Sequence, residues 1–160
     1  MTAPVEGDSH SPWRLDVAMA DDVRSIENLI AEYAELVDTG DLPGLGRLFA
    51  EGVFIGGAGA RFEGRAAVEQ MFRDRTILYA DGTPRTHHVT TNVRVEVDEQ
   101  AGAATACSYV TVLQALDDLP LQAVAAGRYR DRFVREGGRW RFAERAVHIH
   151  LVGDTSRHLR

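Results

Sequence analysis

Four histidines of this chain come as two close pairs. His87 and His88 open the stretch THHVTTNVRVEVD (86–98), and His148 and His150 sit in RAVHIHLVGD. Imidazole takes up and returns a proton near neutrality, so a neutral ring suits removal of a proton from a carbon beside a carbonyl. A carboxylate behind such a ring fixes its tautomer and stabilises the imidazolium that forms. Asp38 is a carboxylate in an unusual place. It ends an apolar-striped segment, one turn beyond Ala34. There a helix macrodipole disfavours a negative charge by about 0.3–1 kcal/mol. By residue type alone Asp38 is equally a surface aspartate opening the DTGD turn.

The elements that must position these groups read in two halves. Val23, Ile26, Ile30, Tyr33 and Val37 recur at three- and four-residue steps, which predicts a helix over 21–39 with Asp21 or Asp22 as cap and Gly40 at its end. GDLPGLGRLF predicts a short second helix, capped by Asp41 and with Pro43 in its first turn. VFIGG and ARFEG read as a hairpin, and GRAAVEQMFRDR as a third helix with Ala67, Val68, Met71 and Phe72 inward. Residues 85–98, 103–116, 122–136 and 139–151 are then long strand-type runs separated by DEQAG, DDLP and EGGR turns. Helices first and antiparallel strands after is an α+β pattern. The expected architecture is a curved antiparallel sheet wrapped around the N-terminal helices, leaving a cone-shaped pocket. Residues 1–19, rich in Pro, Gly, Ser and Asp, read as a flexible arm that Trp13 pins to the body. Residues 20–152 read as one domain, and 153–160 as a tail.

The bulk properties narrow the chemistry. A chain of 160 residues with 44% hydrophobic and 26% charged content suits one soluble domain. A formal charge of -6 argues against a nucleic-acid partner, which calls for a basic surface. No apolar run approaches membrane-spanning length, and the N-terminus lacks signal-peptide order, so no membrane partner and a cytoplasmic location are expected. Cys107 is the single cysteine, which excludes an internal disulfide.

The segments IAEYAELVDTGDLPGLGRLFAEGVFI, FEGRAAVEQMF, THHVTTNVRVEVD and GRYRDRFVREGGRWRFAER, spread over 21–151, follow one another in an order that resembles the SnoaL-like branch of the nuclear transport factor two-like superfamily. That superfamily hosts dehydratases, cyclases, isomerases, dehydrohalogenases and non-catalytic binders on one fold. The resemblance implies a catalytic pair of Asp38 and His88, with Tyr33, five residues before the acid, as an electrophile. It implies no cofactor and no metal. Regular alternation puts His88 opposite Val93, Val95 and Val97, so the resemblance further implies a β-bulge between Val89 and Asn92 that turns His88 inward. His87 is then the packed neighbour.

The implied activity is acid–base catalysis on a small, largely apolar carbonyl compound such as a polyketide or steroid-like metabolite. Dehydration or isomerisation ranks ahead of cyclisation, because the late-strand acid of the polyketide cyclases has no counterpart. The alternative is a non-catalytic binding or assembly subunit, like the small subunits of ring-hydroxylating dioxygenases. Candidate substrate-binding residues are Asn92, Tyr109 and Arg128. Asn92 follows His88 by four residues. Arg128, Arg130 and Arg132 share one face, either a solvated exterior or a mouth that binds an anionic group. Ser108 and Gln114 add polar groups on the next strand. A second irregularity near Ala143 to Ala146 would reconcile Trp140 and Phe142 with Val147, Ile149 and Leu151. The apolar residues of ATACSYVTVLQAL point to a homodimer.

Overall fold

The computed structural model describes the backbone of residues 12–160 and side chains from Met19 onward. The expected arm at 1–11, and the anchoring side chain of Trp13, lie outside the described residues.

The first helix, α1, spans Pro12–Thr39. It starts nine residues before the capping aspartates, so the arm expected over 1–19 is helical from residue 12. Ile26, Ile30, Tyr33 and Val37 are all buried, as the stripe requires. The end of α1 is a paired-turn stop: Gly40 N donates to Val37 O at 3.1 Å and Asp41 N to Leu36 O at 3.0 Å, with Gly40 at φ 72°. A Cβ on Gly40 would collide with the carbonyl of Gly82. Asp41 then caps α2 (Leu42–Leu48), its Oδ1 accepting from Gly44 N at 2.8 Å. A hairpin of β1 (Val53–Ile55) and β2 (Arg61–Glu63) leads to α3 (Gly64–Arg75), which buries Val68, Met71 and Phe72.

Four long strands follow: β3 (Thr86–Asp98), β4 (Ala103–Leu116), β5 (Leu119–Glu136) and β6 (Arg139–Val152). They join β1 and β2 in one sheet of order β2-β1-β6-β5-β4-β3. The sheet is mixed, because β1 runs parallel to β6 while every other pair is antiparallel. The β5–β6 turn uses Gly137 and Gly138 at φ 55° and 79°, backbone that a two-residue hairpin loop demands. Three helices against one curved sheet make an α+β fold whose concave face holds the core.

Register slips decide which side chains enter that face. Thr91 pairs with Tyr109 but Arg94 pairs with Cys107, so one extra residue bulges from β3, with Asn92 at φ 54°. On β6, Phe142 pairs with Phe133 and Glu144 with Arg132, a second bulge at Ala143. The β6 irregularity falls where the mixed parity of that strand required one, and the β3 bulge, which the family resemblance implied, stands two residues beyond its expected place. The segment 153–160 is no free tail: its backbone pairs at Thr76–Leu159 and it buries His158.

Candidate functional site

His88 sits before the bulge, paired with Val112, and Val112 is buried. His88 therefore faces the helices. Asp38 reaches it from the last turn of α1. The carboxylate Oδ1 lies 2.6 Å from His88 Nδ1 and accepts from Thr86 Oγ1 at 2.8 Å, while Oδ2 accepts from the backbone N–H of His88 at 2.7 Å. The side chains are 8% and 16% exposed, so the pair is largely shielded from water. Burial pushes the Asp38 carboxyl up, but the hydrogen bonds and charge of His88, with Thr86, outweigh it and hold the group below its ordinary value. These bonds also offset the unfavourable end of the helix macrodipole. With the Nδ1 proton directed at Asp38, the neutral ring keeps its lone pair on Nε2. That is the arrangement of a base with its orienting acid.

His87, one residue earlier, is exposed. The sequence reading of it as the packed neighbour is thus reversed: β3 alternates regularly here, so bringing His88 in sends His87 out.

Tyr33 is buried among Phe49, Phe54, Phe72 and Tyr129, with ring centroids at 6.3, 6.4, 6.4 and 5.7 Å. No hydrogen bond joins it to Asp38 or His88 in the structure. Burial and the Asp131 carboxylate push its phenol up to about 12 against the pull of Arg145. It stays a proton-bearing donor across the physiological range.

Beside Tyr33 lies a group that sequence reasoning missed. Arg145 forms a two-point ion pair with Asp131, at 2.8 and 2.7 Å, and both side chains are fully buried. The guanidinium also stacks 4.1 Å from the Tyr33 ring centre and 4.2 Å from that of Tyr129. Its Nη1 is buried without a hydrogen-bond partner. The bulge at Ala143 is what turns Arg145 inward, and the mixed parity of β6 was the available signal. His158, also missed, is 8% exposed and has its ring centre 6.4 Å from that of His88.

The three residues expected to bind substrate are not brought to this pair. Asn92 is spent on the bulge itself and is exposed. Tyr109 (43% exposed) and Arg128 lie on the convex face, where the guanidinium covers the Tyr109 ring at 4.8 Å. Alternation explains it: Ser108 and Tyr129 point inward, so their neighbours point out. His148 and His150 are exposed as well. Ser108 and Gln114 do face inward, and Ser108 Oγ, Gln114 Oε1 and Thr90 Oγ1 are buried without partners. An apolar cavity of about 560 Å³ adjoins the aromatic cluster, lined by Phe54, Met71, Phe72, Val147, Ile149 and Leu159 among others.

A mixed sheet curled around three helices, with polar groups on its inner wall, defines the cone of the nuclear transport factor two-like proteins. Within that class the chain belongs to the SnoaL-like domain family, whose model matches residues 18–146. No curated protein matches the sequence significantly. Among solved structures, an NTF2-like protein with a cystatin-like fold from Novosphingobium aromaticivorans is 25% identical with a TM-score of 0.74, covering 94% of this chain and 96% of its own. A scytalone dehydratase-like protein from the same organism is 20% identical with a TM-score of 0.68, covering 88% and 91%. A hexachlorocyclohexane dehydrochlorinase from Novosphingobium barchaimii is 17% identical with a TM-score of 0.69, covering 86% and 92%. At these last two identities the likeness is one of fold.

Proposed function

We propose that the protein is a cofactor-independent acid–base enzyme of the lyase (dehydratase) or isomerase type, acting on a small carbonyl compound with an apolar body. The observation that carries this reading is the shielded 2.6 Å contact between Asp38 and His88. His88 Nε2 takes a proton from the carbon beside the carbonyl, and Asp38 stabilises the imidazolium. The imidazolium then returns that proton to a departing oxygen or to a second carbon, so the ring ends as it began. Tyr33 and the spare nitrogen of Arg145 are interior donors suited to charge that gathers on oxygen. A scytalone dehydratase-like protein and a hexachlorocyclohexane dehydrochlorinase among the fold relatives both bear names of elimination enzymes, which agrees with this reading. The alternative of a purely assembling subunit gives no reason for a carboxylate held by three hydrogen bonds against a buried imidazole.

The test is deuterium exchange beside the carbonyl of small cyclic ketones (cyclohexanone, tetralone) in heavy water, followed by NMR. The wild type is expected to catalyse exchange, and His88→Ala and Asp38→Asn to slow it roughly 10²–10⁴-fold while remaining folded by circular dichroism. Equal rates in all three proteins would remove the pair from catalysis.

A further inference from the structure

The backbone of the C-terminal segment 153–160 is clamped along its length to β5, to α3 and to the stretch that follows α3. Gly153 N donates to Val124 O, Ile77 N to His158 O and Arg160 N to Arg75 O, each at 2.9 Å. Arg157 O accepts from Tyr79 Oη at 2.6 Å and from Gln114 Nε2 at 3.0 Å. The imidazole this strap carries inward is treated quite differently. Among the described residues no side chain or backbone group hydrogen-bonds the His158 ring, whose Nδ1 is buried without a partner. Leaving such a nitrogen unpaired costs about 1–3 kcal/mol, so a strap selected only for packing would carry an apolar residue here. The ring faces that of His88 at 6.4 Å between centres and 65° between planes. At this separation even nitrogens pointed at one another lie beyond a direct hydrogen bond, and one oxygen can bridge a pair so pointed. Thr90 Oγ1, Ser108 Oγ and Gln114 Oε1, all buried without partners, are further polar atoms of the same inner wall.

We propose that His158 is a substrate-contacting residue, a hydrogen-bond donor that the C-terminal strap places opposite His88 to hold the oxygen of the reacting carbonyl. The inference rests on His88 being the base and adds the group that faces it. Burial, reinforced by the nearby His88 and opposed by Asp38, lowers the His158 ring from 6.5 to about 4, so at neutrality it is uncharged and carries one N–H. No proton leaves it during reaction. The C–H electron pair moves into an enolate whose oxygen accepts from His158, while the proton goes to His88 and is returned from there. A neutral imidazole is well matched to this task, because a cationic one would suppress protonation of His88.

The experiment uses 4-nitrophenol, a planar mimic of an enolate whose absorption band reports its ionisation. The wild type is expected to bind it with a shift of the His158 ring nitrogen resonances. His158→Phe should weaken binding about tenfold or more, the value of one lost hydrogen bond in a dry site, and His158→Gln should restore it to within about threefold. His88→Ala should retain binding while losing ketone exchange, which separates the two readings: unchanged exchange in that variant defeats the base and not the donor. Equal affinity in wild type and His158→Phe, unresponsive His158 resonances, or no binding by the wild type would overturn the proposal.

Discussion

At the scale of single residues, two carboxylates carry the interior electrostatics by different means. Asp38 is held by one imidazole, one hydroxyl and one backbone N–H, and its carboxyl lies below the ordinary 3.8 despite burial. A depressed acid stabilises the fold above its ordinary value, and that contribution is lost as pH falls through the lower native value. Acid denaturation below about pH 4 should therefore flatten in Asp38→Asn, read as melting temperature against pH. A variant that tracks the wild type through that window would show that these bonds do not persist in solution. Asp131 is held by a single cation, accepting two hydrogen bonds from the fully buried Arg145. Asp131→Ala leaves that guanidinium uncompensated among aromatic rings and should cost about 3–5 kcal/mol in urea denaturation. A loss below about 1 kcal/mol, the range of surface pairs, would contradict the burial described.

At the scale of elements, the bulges and the strap do what regular strands and a loose tail do not. The β3 bulge lets one strand present His88 inward and still cover α1 with Val95 and Val97, both half-buried. The β6 bulge does the same for Phe142 and Arg145. The strap brings a second imidazole, that of His158, to 6.4 Å from that of His88. His158 links this strap to pH. Its native value near 4 lies below the ordinary 6.5, so the unfolded chain binds the extra proton first. Stability is therefore full above pH 6.5 and declines as pH falls toward 4. His158→Phe should abolish this part of the slope, measured by chemical denaturation between pH 4 and 7, and a slope equal to that of the wild type would show the ring is free to charge.

At the scale of the whole molecule, charge and apolar surface are distributed unevenly. The chain is net acidic, yet Arg94, Arg128, Arg130 and Arg132 are all exposed, the last three at alternate positions of β5. Tyr109, Leu121, Leu151 and Val152 leave large apolar side chains exposed on the same sheet. No helix among the described residues is long and apolar enough to cross a membrane. We expect a homodimer that covers these strand residues. Sedimentation should give twice the chain mass, and Leu121→Asp with Leu151→Asp should give the monomer; a wild-type monomer at micromolar concentration would end that expectation.

Much of this was written in local pattern. Helix stripes, the Asp41 cap, the Gly40 stop and the Gly137–Gly138 turn depend on neighbours a few residues apart, so periodicity exposes them. The mixed parity of β6 likewise announced that this strand must slip, whereas the β3 bulge was implied only by resemblance to the family. The pairing of Asp38 with His88, fifty residues apart, came from resemblance to a family and not from spacing. Only the folded chain decided the rest. Where a bulge falls is set by register against the partner strand: the β3 bulge decided which of His87 and His88 faces in, the β6 bulge turned Arg145 inward, and alternation from the inward Ser108 and Tyr129 sent Tyr109 and Arg128 out. The place of His158 depends on a segment with no periodicity, fastened by backbone bonds to α3 and β5, and no local signal in eight residues encodes such long-range closure.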